Sequence, residues 1–215
     1  MDLATFARKQ STPASPLLES LARATWQRTR HGRLMTDEHT GRVIAEVSQL
    51  MQPRTILELG TFTGYGTLCL LEGLHPEGTL HTVERNDELF ALQDDFWQNA
   101  YGGNRIKRHH MDAMEFLSQW DGNLNGTVDL AYVDADKQNV NAQLDALLPL
   151  LSERGSLLFD NTWWGGTLYS EKGGSAGTGA KADALRQLND RLLNDSSLQT
   201  VTLPVGDGLS LVRKA

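Results

Sequence analysis

Three short stretches concentrate the side chains able to do chemistry. In YVDADKQN (132–139), Asp134, Asp136 and Lys137 fall within four positions; in SLLFDNTWWGG (156–166), Asp160 and Asn161 stand together just before Trp163 and Trp164. Asp134, Asp160 and Asn161 offer two carboxylates and one amide, hard oxygen donors of the kind Mg2+ or Ca2+ takes, and Mg2+ leaves positions for water or substrate oxygens. The set lacks a soft ligand, which disfavours zinc. The same residues also suit a plainer role, with Asp134 capping a helix and Asp160 and Asn161 making a turn. In the third stretch, LELGTFTGYGT (57–67), Gly60, Gly64 and Gly66 allow a nucleotide-like ligand to approach the backbone. No lysine follows the last glycine, so this is not a phosphate loop, and the spacing is not that of a dinucleotide fingerprint. Glu84, about twenty residues further on, is placed to accept the two hydroxyls of a ribose. Tight packing alone would also explain the glycines.

These stretches sit where regular elements meet. The segment 36–52 has apolar residues at Val43, Ile44, Val47, Leu50 and Met51, the spacing of an amphipathic helix, and TILELG (55–60) reads as a buried strand. The alternation continues with a helix near 64–74, strand 79–84, helix near 86–100, strand 105–112, helix near 113–120, strand 128–134, helix near 138–151 and strand 155–160. After a helix over 180–195, two strands (198–205 and 209–214) flank GDG, a hairpin signal. The pattern predicts an α/β, Rossmann-like fold: a seven-stranded, mostly parallel sheet with an antiparallel C-terminal strand pair and helices on both faces. Five strands end at or beside an acid: Glu58, Glu84, Asp112, Asp134 and Asp160. In such sheets ligands bind outside the carboxyl ends of the strands, and acids gathered there repel one another unless they bind hydroxyls or cations.

At 215 residues the chain suits a single domain over 1–215, with STPASP (11–16) as a loop and residues 1–30 as an N-terminal helical arm. Cys69 is the only cysteine, so no intramolecular disulfide forms, and its apolar helix face makes it an inert core residue. The net charge of −7 argues against a nucleic-acid partner, and no apolar run approaches membrane-spanning length, so a cytoplasmic protein is the expectation. The basic cluster RIKRHH (105–110) reads as a solvated strand entrance, His109 and His110 as surface or packing residues, and GGSAGTGA (173–180) as a surface loop.

In order along the chain, LELGTFTGYG, VE, the Asp112–Ala113 pair, VDADK, FDN and LPVGDGLSLVRK resemble the cation-dependent S-adenosylmethionine O-methyltransferases, which include the catechol and caffeoyl-CoA O-methyltransferases. The likeness spans roughly residues 30–215. It implies that Thr36, in the segment before the first core helix, touches S-adenosylmethionine, that Glu58, Gly60 and Thr61 line its methionine end, and that Tyr65 and Gly66 also bind it. By the same likeness Glu84 holds the ribose, and Asp112 with Ala113 borders the adenine. Asp134 serves both cofactor and metal, Asp160 and Asn161 complete the ligands of Mg2+ (or Ca2+ or Mn2+), and Lys137 matches the catalytic lysine, acting together with Asp134. The acceptor implied is a small ortho-dihydroxy aromatic, walled by Trp163, Trp164 or both, and a homodimer is implied as well.

The chain departs from the family pattern at three places. Gly66 stands where the family has a serine that meets the cofactor carboxylate, Val140 where it often has tyrosine, and Trp163 where it has a smaller aliphatic residue. Two other readings compete: a catalytically silent S-adenosylmethionine-binding module, and a nicotinamide-dependent oxidoreductase, against which the glycine spacing speaks.

Overall fold

The run TILEL forms β1 (Thr55–Leu59), in which Ile56, Leu57, Glu58 and Leu59 are all buried, as a strand covered on both faces requires. In the computed structural model, which describes residues 1, 3–120, 125–166, 168 and 179–215, β1 pairs in parallel with β2 (Thr79–Glu84) on one side and β4 (Val128–Val133) on the other. β3 (Ile106–His110) extends the sheet beyond β2, and β5 (Leu151–Asp160) lies in parallel beside β4. The hairpin strands β6 (Leu198–Leu203) and β7 (Leu209–Lys214) close the other edge in antiparallel sense, giving the order β3-β2-β1-β4-β5-β7-β6. This is the predicted sheet. Strand order reverses between β1 and β4, so the crevice of the fold opens beside Glu58 and Asp134.

Successive strand residues face opposite sides. Leu57, Leu59, Ala131, Val133, Leu157 and Phe159 enter one core with α6 (Ala113–Gln119), α7 (Val140–Leu147) and α8 (Ala180–Asn194). Ile56, Leu80, Leu130, Tyr132 and Leu158 enter the other, with α2 (Pro16–Arg28), α3 (Glu38–Met51), α4 (Tyr65–Leu71) and α5 (Phe90–Trp97). Helices therefore cover both faces.

Several boundaries differ from expectation for identifiable reasons. The helix expected to reach residue 151 stops at Leu147, where Pro149 turns the chain into a 3-10 segment. β5 then starts at Leu151 rather than 155, and an irregular register sets Val128 against Leu151 but Leu130 against Ser156. The N-terminal arm is only in part an arm. α1 (Leu3–Lys9) buries nothing, whereas α2, capped by Ser15 and opened by Pro16, buries Leu18, Leu21, Ala24 and Thr25 in the second core. The basic cluster at β3 is not simply solvated. Arg105 donates to the carbonyls of Leu74 and His75, and Arg108 lies 4.0 Å over the Phe90 ring while donating to Asp94 at 2.7 Å. His109 bonds His81 and packs on Phe116, and Cys69 is fully buried, its thiol pushed up by that burial. The loop expected over 173–180 lies, except for its last two residues, outside the described residues. No helix among the described residues is long and apolar enough to cross a membrane.

Candidate active site

The carboxyl ends of β1, β2, β4 and β5 surround a cavity of about 840 Å³. Thr36, Glu58, Gly60, Thr61, Tyr65, Gly66, Glu84, Asp112, Ala113, Asp134, Lys137, Asp160, Asn161 and Trp164 all line it, although they are spread over 129 positions of sequence from 36 to 164. Trp163 does not. Its indole lies on the hairpin turn, where the hydrogen of Gly208 leaves room for the ring; a Cβ at 208 would come within 2.7 Å of Trp163 Cδ1. The two adjacent indoles part because Trp164 takes φ +49°, turning the chain between them. Of the two rings expected at the acceptor, only Trp164 lines this cavity.

Gly60 ends β1 with φ +93°, and its N–H donates to the Val83 carbonyl. A Cβ there would fall on the backbone of Asp134, 2.7 Å from its carbonyl carbon, so the glycine sets how closely the β1 and β4 ends approach. Glu58 is buried beneath this turn and accepts hydroxyl bonds on Oε2 from Thr67 and Thr82, both at 2.5 Å; Thr82 in turn bonds Thr61. Burial pushes its carboxyl up to about 8; the two threonine bonds oppose the rise, and the charges of Asp134 and Glu84 add to it. Glu84 is held from both sides, accepting Phe62 N–H on Oε2 at 2.8 Å and Asn86 N–H on Oε1 at 2.9 Å. Asp112 caps α6 by accepting from Met114 N–H.

At the other end, Lys137 is 7 % exposed, and its ammonium donates to Asp134 Oδ1 at 2.8 Å and to the Asp160 carbonyl at 2.9 Å. Asp160 accepts the Tyr132 hydroxyl on Oδ2 at 2.5 Å and Asn161 N–H on Oδ1 at 2.7 Å. Burial raises the Asp160 carboxyl and the charge of Asp134 raises it further, while Lys137 and the two hydrogen bonds pull it back. Asn161 adopts φ +59°, which carries its carboxamide out of the strand direction and into the cavity wall.

Among the described residues no cluster of three or more His, Cys, Asp or Glu could hold a metal ion. The candidate set is instead two carboxylates and an amide, all hard oxygen donors around one cavity, and the two carboxylates lie near enough for one to act electrostatically on the other. That chemistry fits a divalent cation such as Mg2+. Positive charge also reaches the cavity from the N-terminal side, through Arg8, which pairs with Asp37 at 3.1 Å, and through Arg33. Residues missed by sequence reasoning are Tyr132, Thr67 and Thr82, which brace the acids, and Asp207, whose carboxylate accepts Gly165 N–H beside Trp164.

A family model described as O-methyltransferase matches residues 8–215. Catechol O-methyltransferase domain-containing protein 1 of Mus musculus is 32 % identical over 200 residues, covering 93 % of this chain and 74 % of that protein. Flavonoid 3',5'-methyltransferase of Vitis vinifera is 31 % identical, with 92 % and 86 % covered. Among solved structures, the O-methyltransferase TomG from Streptomyces achromogenes in complex with SAM superposes with a TM-score of 0.85 at 22 % identity, covering 99 % of this chain and 96 % of that one. The fold is therefore that of known methyltransferases.

Proposed function

The chain belongs to the O-methyltransferase family, and on that premise we propose that it is a single-domain, S-adenosylmethionine-dependent and divalent-cation-dependent enzyme that methylates one hydroxyl of a small ortho-dihydroxy aromatic acceptor. The observation that carries this reading is the position of Lys137: a buried ammonium bonded to Asp134 and to the Asp160 carbonyl, on the wall shared by Asp134, Asp160 and Asn161. When bound, S-adenosylmethionine supplies an electrophilic methyl group, and a divalent cation supplies Lewis acidity that lowers the pKa of a chelated hydroxyl.

The chain's own residues do the rest. Glu58 and the Gly60–Gly66 turn receive the methionine end, with the buried Glu58 carboxylate facing an ammonium. Glu84, immobilised by two backbone N–H groups, keeps lone pairs for ribose hydroxyls. Asp134, Asp160 and Asn161 would hold the cation. Lys137 would stabilise the phenolate as an ammonium or, once it has given up its own proton beside a bound cation, take the acceptor's proton as the neutral amine, and Trp164 would supply an aromatic wall that helps keep water out. No covalent enzyme intermediate is needed. Holding two reactants in line is worth up to about 7–11 kcal/mol, so positioning carries most of the rate.

The test is methyl transfer to a panel of catechols with and without EDTA, alongside Asp160→Ala. The expected result is turnover that EDTA abolishes, that added Mg2+ or Mn2+ restores, and that Asp160→Ala lowers by about 100-fold or more. Turnover indifferent to both chelation and substitution would refute the cation's role.

A further inference from the structure

Behind the wall that carries Asp160 and Thr36 lies the Tyr132 side chain, 1 % exposed. Its hydroxyl donates to Asp160 Oδ2 at 2.5 Å and stands 3.3 Å from Thr36 Oγ1. A phenol has one proton. Because the carboxylate takes that proton in a charge-assisted bond, Thr36 must be the donor in the second contact. The three groups form a directed chain, Thr36 to Tyr132 to Asp160, joining the segment before α3 to the end of β5.

Gly66 belongs to the same construction. A Cβ at this position would stand 2.9 Å from Glu58 Oε1, 3.2 Å from Tyr132 Cε1 and 3.4 Å from Thr36 Oγ1. Glycine is disfavoured inside a helix, yet here any side chain would press on the hydroxyl chain and on Glu58. The space that a serine would fill is taken by the tyrosine ring and by Thr36.

We propose that Tyr132 is a positioning residue that links Asp160, as ligand of the cation, to Thr36 at the cofactor's methionine end, so that occupation of either subsite favours occupation of the other. The inference rests on the function proposed above. With the charge of Asp160 partly neutralised, its carboxylate draws less on the phenol proton, Tyr132 turns that proton to Thr36, and Thr36 is free to donate its own to an anionic group in the cavity. Such coupling is reciprocal by necessity.

Calorimetry separates this inference from the reading beneath it. Wild type, Tyr132→Phe and Thr36→Val are titrated with MgCl2 alone, with S-adenosylhomocysteine alone, and with S-adenosylhomocysteine in saturating MgCl2, after thermal melts confirm folding. Wild type should bind S-adenosylhomocysteine about fivefold tighter or more when Mg2+ is present. Tyr132→Phe should weaken Mg2+ about tenfold or more and reduce the coupling to less than about twofold. Thr36→Val should remove the same coupling while changing Mg2+ affinity by less than about threefold, which keeps the inference testable if Tyr132→Phe does not fold. Tyr132→Phe with wild-type Mg2+ affinity and undiminished coupling, or a wild type that binds Mg2+ with no effect on S-adenosylhomocysteine, overturns the inference alone. A wild type that binds no divalent cation overturns the proposed function and this inference with it.

Discussion

Glu58 should make cofactor binding a proton-releasing reaction. Its carboxyl is pushed up to about 8, chiefly by burial, so the ligand-free protein holds it about 90 % protonated at pH 7. An ammonium beside it favours the ionised form, and the proton then leaves as the ligand binds. Affinity for S-adenosylhomocysteine should therefore rise between pH 6 and 8 by up to about tenfold per pH unit and level off above about 8. Calorimetry at pH 7 in two buffers of different ionisation enthalpy should report release of roughly 0.9 proton. Glu58→Gln keeps the shape and loses the charge. It should abolish the release and weaken binding by about 1.5–3 kcal/mol, roughly 10- to 150-fold. The same displacement predicts stability. The folded state holds a proton that the unfolded state, titrating near 4.5, has given up, so the penalty is absent below about 4.5, grows as pH rises and is complete above about 8. Its full size is about 5 kcal/mol. Ligand-free Glu58→Gln should thus melt higher than wild type at pH 8.5, with the difference shrinking toward pH 4.5. Release below about 0.2 proton in wild type, or equal release from Glu58→Gln, would show that this carboxyl does not face the ammonium.

Two further substitutions separate chemistry from support. Lys137→Met should lower kcat by about 100- to 10,000-fold while S-adenosylhomocysteine affinity changes little, measured by steady-state kinetics beside calorimetry; an equal loss in both would make Lys137 a structural ion pair with Asp134. Trp164→Ala should raise acceptor KM about tenfold with a small change in Tm, whereas Trp163→Ala should cost about 1–3 kcal/mol of stability and leave acceptor KM near wild type, because only Trp164 lines the cavity.

What could be read from the sequence was what repeats or what sits at an element's end. The alternation of strand and helix revealed the sheet, because apolar periods of 2 and 3.6 residues are properties of single segments. Glu58, Glu84, Asp134 and Asp160 were recognisable because an acid at the end of an apolar run is conspicuous, and the structure brings all four to one cavity. Tyr132 was not. An aromatic residue in VDLAYVD reads as core, and it is core; only the pairing of Tyr132 with Leu158 reveals that its hydroxyl reaches Asp160 two residues further along β5. Thr67 and Thr82 were hidden in the same way, since their bonds to Glu58 depend on how α4 and β2 lie against β1. Trp163 and Trp164 are chemically identical neighbours, and it takes a left-handed backbone at Trp164 and a bare Gly208 to set one on the hairpin turn and one in the cavity wall. Reading residues 1–30 as one arm overlooked Leu18, Leu21 and Thr25, spaced three and four apart behind a Ser–Pro start, which is the signature of a helix that docks.

The acidic wall itself argues for cationic occupants. Glu58 and Asp160 are both buried, both held above the ordinary carboxylate range, and both pushed further by Asp134. Lys137 pairs with Asp134 and offsets the rise at Asp160, whereas the groups that offset the rise at Glu58 are two neutral hydroxyls. Burying charge without a partner destabilises a fold by several kcal/mol, and a chain optimised for stability alone would set apolar residues here. A ligand that carries an ammonium to Glu58 and a cation held by Asp134 and Asp160 would each remove part of that penalty. Both would then bind the folded state selectively and stabilise it in proportion to the logarithm of their concentration over Kd. The arrangement that weakens the ligand-free fold is in this way the source of affinity for positively charged partners.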